Sequence, residues 1–203
     1  MAVEESFAEL AAYVSGLAPR LGDVRLVAVD GPSGAGKTSF ALRLAKELDA
    51  PVVHTDDLLD GWDDQFTFWP RLEARVLGPL RRGRPATYRR YLWHRGEFDP
   101  VPVTLEPAPV VLLEGVSCAR RVIRPELSLA IFLVAPADLR LARALARDGD
   151  DSLAFWSYLE RWRAAEDRHF AEDRTQAHAD LVVDGAAETG DDSYERVWRR
   201  APG

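Results

Sequence analysis

Residues 31–38 read Gly-Pro-Ser-Gly-Ala-Gly-Lys-Thr, a complete G-x-x-x-x-G-K-[ST] pattern. Glycines at these positions let the backbone bend around an anion and point successive N–H groups inward. The flanking sequence agrees, because residues 24–29 are an apolar run and residues 39–48 carry apolar side chains at helical spacing. A strand, a glycine loop and a helix in this order predict a phosphate-binding loop, and with it nucleotide binding.

We expect the residues of the loop to have different roles. We expect Lys37 to reach the β- and γ-phosphates of a bound nucleotide and Thr38 to place its hydroxyl on Mg²⁺. The chain holds two lysines, Lys37 and Lys46, among many arginines. A lysine in the loop suits the site, since a compact ammonium fits between phosphates where a planar guanidinium does not. The predicted nucleotide-contacting residues are Gly31, Ser33, Gly34, Ala35, Gly36, Lys37, Thr38 and Ser39.

Composition limits the class of protein. At 203 residues the chain is expected to form one domain, residues 1–203, and its net charge of −7 argues against a general nucleic-acid binder. Cys118 is the only cysteine, which excludes an intramolecular disulfide. The acidic N-terminus lacks the apolar region of a signal peptide, and no apolar run approaches membrane-spanning length. We therefore expect a cytoplasmic protein without a membrane partner, and homo-oligomerisation stays open.

Apolar runs alternate with helical patterns along the chain. Strands are predicted at 24–29, 51–54, 110–113, 129–134 and 181–183, and helices at 7–17, 39–48, 72–80, 136–147, 151–172 and 194–198. Strands that are apolar throughout indicate a parallel sheet that is buried on both faces. The predicted fold class is therefore α/β, a three-layer P-loop NTPase fold with a mostly parallel sheet covered by helices on both faces.

Carboxylates follow two of the predicted strands, at the sheet edge where ligands of such folds bind. Asp56 and Asp57 close the strand at 51–54, and a carboxylate facing the γ-phosphate could accept a proton from a substrate hydroxyl. Asp56 is the first candidate for this base, although the pair could instead cap a helix. Glu114 ends the strand at 110–113 and is predicted to hold Mg²⁺; the alternative is a turn residue.

Arginines share one face of the helix predicted at 136–147. Arg140, Arg143 and Arg147 follow the spacing i, i+3 and i+7, and arginine neutralises charge on a transferred phosphoryl group. We assign Arg143 and Arg147 a catalytic role in a helical lid at about 140–172, whose tip at 148–151 looks mobile. The alternative is a solvated, ion-paired face.

Aromatic side chains concentrate at about 60–106, where we expect a loop at 60–70 and a small hairpin-like flap at 86–106. This insertion would lie on the acceptor side of the site, where aromatic faces stack on a base or a sugar. The alternative for most of them is a small satellite core. We interpret His54, His169 and His178 as structural or exposed. The predicted substrate-contacting residues are Asp57, Tyr91, Trp93, His94 and Arg95.

These segments together resemble the uridine kinase-like branch of P-loop kinases. The resemblance runs from about residue 24 to 185 and is carried by residues 27–38, 55–59, 91–95, 111–116, 140–148 and 179–183. It implies that Asp56 is the catalytic base, that 91–95 bind the acceptor and that 140–148 belong to the lid. The chain departs from the family where Leu58 and Leu59 replace an aromatic pair and where Leu92 replaces an aspartate. The family's ribose-binding aspartate has no clear match near residues 69–71, where Arg71 stands instead.

The predicted function is ATP- and Mg²⁺-dependent phosphoryl transfer to a hydroxyl of a small molecule, with a nucleoside as the leading acceptor. A nucleotide, a vitamin-like alcohol or an antibiotic remains an alternative acceptor. The alternative from another class is a nucleotide-binding or NTPase switch module without an acceptor. The sequence lacks the N-K-x-D motif of Ras-type GTPases and the signature of transporter ATPases, which weighs against that class.

Overall fold

The computed structural model describes residues 3–148 and 152–200. Eleven strands and seven α-helices lie within these ranges. The strands are β1 Val3–Ser6, β2 Arg25–Asp30, β3 Val52–His54, β4 Ala86–Tyr88, β5 Tyr91–Leu92, β6 Glu97–Phe98, β7 Val103–Leu105, β8 Val110–Glu114, β9 Leu127–Val134, β10 Leu181–Asp184 and β11 Ser193–Arg199. The helices are α1 Phe7–Gly16, α2 Lys37–Leu48, α3 Trp69–Leu72, α4 Gly78–Arg81, α5 Ala137–Asp148, α6 Leu153–Asp173 and α7 Thr175–His178.

Seven strands form the central sheet in the order β1-β11-β10-β9-β2-β8-β3. The five strands from β10 to β3 run parallel, and β11 and β1 add an antiparallel ribbon at the β10 edge. This mostly parallel sheet with helices on its faces confirms the predicted fold class. None of the helices in the described residues is long and apolar enough to cross a membrane.

Alternate residues of the central strands enter two separate cores, one on each face of the sheet. Leu26 and Ala28 of β2 pack into one core with residues 68–80, and Val27 and Val29 pack into the other with α1 and α2. A strand that is buried on both faces cannot show a polar alternation. This explains why the sequence pattern of β2 is apolar throughout, and it leaves the strand ends as the place for polar chemistry.

The segment predicted as a closing helix at 194–198 is a strand, so that prediction was wrong. β11 pairs antiparallel with both β1 and β10. Tyr194 is buried and packs against Phe7 and Phe40, with ring centroids 5.3 and 5.4 Å apart. Pairing with strands from both ends of the chain decides the conformation of this short segment, and a local pattern cannot report such pairing.

The insertion at 60–106 begins with a 3₁₀ turn, Trp62–Asp64, within the predicted loop. The predicted helix at 72–80 is present but interrupted, because a π-helical turn at Glu73–Leu77 separates α3 from α4. The predicted flap consists of two small antiparallel pairs, β4 with β7 and β5 with β6. Strand β5 packs on the 3₁₀ turn Thr55–Leu58, which places the flap beside the predicted base.

Candidate active site

The phosphate loop lies between the end of β2 and the start of α2. Gly36 immediately precedes α2 with φ of 92°, a left-handed conformation that favours glycine. The first N–H groups of a helix lack intrahelical acceptors, and within the described residues no protein acceptor takes those of Lys37 and Thr38. The loop therefore presents backbone donors at the positive end of a helix, an arrangement that suits a phosphate.

The Lys37 side chain is held at the loop. Its Nζ atom donates to the carbonyl oxygen of Pro32 at 3.1 Å, and the residue is only 8% exposed. The Thr38 side chain, one residue on, is exposed at the mouth of the loop. The ammonium and the hydroxyl are thus both placed at the loop, as the sequence pattern predicts.

Asp30 ties the phosphate loop to the turn that follows β8. Its buried carboxylate accepts backbone N–H bonds from Gly31 at 2.7 Å, Ser117 at 2.9 Å and Ala119 at 2.8 Å. Burial raises the pKa of this carboxyl to about 6, although these N–H groups and the nearby Lys37 ammonium favour the charged form. This role of Asp30 could not be predicted from the sequence, because its partners lie up to 89 positions away.

Glu114 lies where the neighbouring strands β2, β8 and β3 approach their carboxyl ends. It ends β8, and its register partners are Val29 of β2 and His54 of β3. The Thr38 hydroxyl donates to its Oε1 atom at 3.3 Å, and the Nδ1 atom of His54 lies 2.6 Å from its Oε2 atom. His54, interpreted from the sequence as structural or exposed, is therefore part of this site, and the contact with Glu114 raises its pKa.

The oxygen atoms at this point fit Mg²⁺. A threonine hydroxyl and a carboxylate are hard ligands, and Mg²⁺ is commonly held by one or two carboxylates together with substrate phosphates. Across residues 3–148 and 152–200, no group of three or more His, Cys, Asp or Glu side chains could hold a metal by itself. Mg²⁺ commonly takes only one or two ligands from the protein, and Thr38 and Glu114 fit this requirement. Their role as metal ligands stays a prediction.

Asp56 lies in the 3₁₀ turn Thr55–Leu58, directly after β3. Its side chain reaches solvent, but the cleft around it replaces much of the bulk water with protein. This desolvation, with the negative charge of Glu114, raises the pKa of Asp56, while the positive charges of Lys37 and Arg147 act in the opposite direction. The predicted base therefore shares one electrostatic environment with the phosphate loop, the predicted metal ligand and the predicted lid.

Asp57 faces the flap. Desolvation raises the pKa of its carboxyl, and the positive charges of His54 and Arg90 oppose that rise. The buried phenol of Tyr88 lies in the same field, because Asp57 helps to raise its pKa and Arg90 lowers it. The two neighbouring aspartates thus differ in their partners, since Arg147 of the lid acts on Asp56 and Arg90 of the flap acts on Asp57.

Arg143 on α5 contacts the phosphate loop directly. Its Nη1 atom donates to the carbonyl oxygens of Gly34 at 3.1 Å and Gly185 at 2.9 Å. Arg147, one turn further along α5, adds positive charge near Asp56. The structure therefore places both predicted lid arginines at the site. Residues 149–151 of the predicted mobile tip lie outside the described residues.

The long helix α6 contacts the phosphate loop, a contact that was not predicted from the sequence. Glu166 is fully buried, and its carboxylate accepts bonds from the backbone N–H of Ser33 at 3.1 Å and from the Ser33 hydroxyl. The Trp162 indole, one helical turn earlier, donates to Oε1 of Glu166 at 2.7 Å. No motif signals this contact, because it joins positions 133 residues apart.

The predicted substrate-contacting residues in the flap differ in their exposure to solvent. Tyr91 is half-buried and packs edge to face on Trp93, with ring centroids 5.1 Å apart. His94 and Arg95 are exposed at the tip of the β5–β6 hairpin, and Arg95 pairs with Glu97. The structure therefore brings Tyr91 close to the turn that bears Asp56, whereas His94 and Arg95 face solvent.

Comparisons with known proteins agree with this architecture. The sequence profile of the phosphoribulokinase/uridine kinase family matches residues 69–152. A curated uridine kinase from Schizosaccharomyces pombe is 26% identical over 184 residues, which cover 79% of this chain. The chain spans only 40% of the length of that relative.

Two solved structures share the fold. A possible uridine kinase from Bacillus stearothermophilus superposes with a TM-score of 0.62 at 20% identity, over 87% of this chain and 96% of that one. A protein from Silicibacter sp. TM1040, named as a candidate fructose transport system kinase, gives 0.56 at 22% identity, over 86% and 95% of the two chains. The resemblance of this chain to the uridine kinase-like P-loop kinases is thereby confirmed.

Proposed function

We propose that this protein transfers the γ-phosphoryl group of ATP to a hydroxyl of a small, nucleoside-like molecule. The observation that carries the proposal is the shared environment of Asp56, Glu114, Lys37 and Arg147 at the carboxyl edge of the sheet. A phosphate loop alone would serve any NTPase. A desolvated carboxylate facing that loop from the flap side is what a hydroxyl acceptor requires.

In the proposed reaction the acceptor oxygen attacks the γ-phosphorus, and the bond from that phosphorus to the β–γ bridging oxygen breaks. ADP leaves, and the hydroxyl proton goes to the Asp56 carboxylate. The loop N–H groups and Lys37 would bind the phosphates, and Arg147 would balance charge that develops during transfer. Mg²⁺ held by Thr38 and Glu114 would supply charge neutralisation at the β- and γ-phosphates.

The first experiment incubates the purified protein with ATP, Mg²⁺ and a panel of nucleosides, nucleotides and hydroxylated metabolites. ADP release and product mass are the readouts. One acceptor that gains a phosphoryl mass would establish the kinase and its substrate. Binding of ATP without transfer to any acceptor would favour the alternative, a nucleotide-binding or NTPase module.

A matched pair of variants tests the assignment of the base. Asp56→Asn should lose transfer by about 10²- to 10⁴-fold while it retains ATP binding, because only proton acceptance is removed. Asp60→Asn changes an exposed aspartate four positions away and should leave transfer unchanged. Full turnover in Asp56→Asn would show that another group accepts the proton.

A further inference from the structure

A cleft of about 630 Å³ opens beside the turn that bears the proposed base. Leu58, the last residue of that turn, lines the cleft together with Tyr88 and Phe98 of the flap. Through Leu58 the cleft reaches the turn that carries Asp56 and Asp57, on the flap side, where an acceptor would sit. None of the sequence-predicted substrate residues lines it.

Among the residues that the structure describes, three arginines line this cleft, Arg71, Arg75 and Arg89, and no carboxylate side chain does. Such a concentration of positive charge contrasts with a chain whose net charge is −7. Arg75 and Arg89 are exposed, and neither has a hydrogen-bond or ion-pair partner among residues 3–148 and 152–200. Their guanidinium groups are therefore available to a ligand.

Arg71 differs from Arg75 and Arg89, because its guanidinium group is held in place by hydrogen bonds within the protein. Its Nη1 atom donates to Oδ2 of Asp64 at 2.7 Å and also to the carbonyl oxygen of Leu58. Its guanidinium lies over the Phe98 ring, 5.1 Å from the centroid. Arg71 thus forms a fixed wall between the base-bearing turn and the flap, and it leaves Arg75 and Arg89 as the groups that can bind.

The cleft is also linked electrostatically to the reacting edge. The Tyr88 side chain, which lines the cleft, lies in the field of both Asp57 and Arg90. A molecule in the cleft would therefore have an arginine-lined side and, next to Tyr88, a side that lies toward Asp57. Leu58, Phe98 and Pro102 supply apolar surface for its body.

We propose that the acceptor carries an anionic group, a phosphate or a carboxylate, which Arg75 and Arg89 bind while its hydroxyl faces Asp56. Arginine suits this role because its planar fork binds both anions through paired N–H donors. This inference rests on the proposed function and specifies the substrate class: an anionic hydroxyl compound, such as a nucleoside phosphate or a sugar acid, rather than a neutral nucleoside.

A binding experiment tests the cleft without turnover. The protein is saturated with ADP and Mg²⁺ so that the phosphate loop is filled, and inorganic phosphate or acetate is titrated while NMR follows the arginine Nε–Hε signals. We expect the signals of Arg75 and Arg89 to shift. Arg75→Gln and Arg89→Gln should each weaken binding about tenfold or more, since a charge-assisted bond is lost. Arg84→Gln, an exposed arginine outside the cleft, is the matched control.

A turnover experiment distinguishes the two anions and uses matched acceptor pairs. Uridine is compared with uridine 5′-monophosphate, ribose with ribose 5-phosphate, and glycerol with glycerate. We expect the anionic member of a pair to have the higher kcat/KM, and Arg75→Gln or Arg89→Gln to raise the KM of that acceptor while the KM of ATP stays unchanged. Preference for the phosphate pairs or for glycerate identifies the anion.

Two results would overturn the inference: anion binding that is equal in wild type, Arg75→Gln and Arg89→Gln, or a neutral acceptor that is turned over better than its anionic partner. Failure of the proposed function would look different. In that case the anion would bind the cleft and depend on Arg75 and Arg89, but no acceptor would gain a phosphoryl mass.

Discussion

The Nδ1 atom of His54 lies 2.6 Å from a carboxylate oxygen of Glu114, where β3 and β8 end side by side. The parallel register alone produces this contact, because His54 and Glu114 are direct partners across the two strands. The other carboxylate oxygen accepts the Thr38 hydroxyl at 3.3 Å. A histidine that looked incidental in the sequence therefore shares the carboxylate that we expect to hold Mg²⁺.

The contact between His54 and Glu114 predicts a pH-dependent contribution to the stability of the fold. Glu114 raises the pKa of His54 above its ordinary 6.5, so the folded state binds the proton more tightly than the unfolded state. The stabilisation is fully present below pH 6.5 and is lost as the pH rises through the raised pKa. We expect the difference in unfolding free energy between wild type and His54→Gln, on the order of 1 kcal/mol at low pH, to shrink across that window.

Urea unfolding from about pH 5.5 to about pH 9 measures this difference. His94→Gln, at the exposed tip of the flap, serves as the control and should show no such trend. A difference between wild type and His54→Gln that stays constant or grows with pH would contradict the predicted direction of the pKa shift.

Close backbone packing behind the phosphate loop leads to a second prediction. A Cβ atom on Gly185 would lie 1.8 Å from the carbonyl oxygen of Ala35, and a backbone atom cannot swing away as a side chain does. Gly185→Ala should therefore displace the loop, destabilise the fold by about 1–3 kcal/mol and weaken ATP binding. Thermal unfolding and ATP titration are the measurements.

Gly16→Ala is the matched control for Gly185→Ala. No atom of the described part of the chain lies within 4 Å of a Cβ atom at Gly16, which is the last residue of α1. We expect this change to leave stability unchanged or to raise it by a few tenths of a kcal/mol, since alanine narrows the unfolded ensemble. If the two variants had the same thermal stability and the same ATP affinity, the loop would tolerate the added methyl group.

The buried Glu166 predicts a third effect. Glu166→Ala removes the acceptor of the Ser33 N–H and leaves the Trp162 indole N–H only its longer bond to the Ser33 hydroxyl, which should cost about 1–3 kcal/mol of stability. Glu166→Gln retains a carbonyl oxygen and should recover part of that loss. Chemical denaturation compares the two with Glu160→Ala, an exposed position on the same helix that should be neutral. If Glu166→Ala were as stable as the wild type, the contact between α6 and the phosphate loop would be contradicted.

The environment of Asp56 predicts the pH profile of the reaction. Desolvation and Glu114 raise its pKa above the ordinary 3.8, and a general base acts only when it is deprotonated. Turnover should therefore fall as the pH decreases through this raised pKa, at a higher pH than an unperturbed aspartate would give. Rate measurements with saturating ATP test this, and the residual rate of Asp56→Asn should lose that limb of the profile.

Local patterns in the sequence were enough to predict the phosphate loop and the central strands. The glycines of 31–38, the apolar run of β2 and the helical spacing of α2 each depend on neighbours within one segment. Asp56 and Glu114 were found because polar residues that end buried strands meet at one edge of a parallel sheet. The prediction of a closing helix at 194–198 was wrong, because the pairing of β11 with β1 and β10 determines its conformation.

The sequence by itself determined that this chain builds a nucleotide site at the ends of parallel strands, since that information is local and periodic. Only the tertiary structure decided what surrounds the site. The contact of His54 with Glu114, the bonds of Glu166 to Ser33 and the arginine-lined cleft beside Leu58 each join positions that are distant along the chain. Such contacts depend on strand register and helix packing, and no pattern within a single segment encodes either of them.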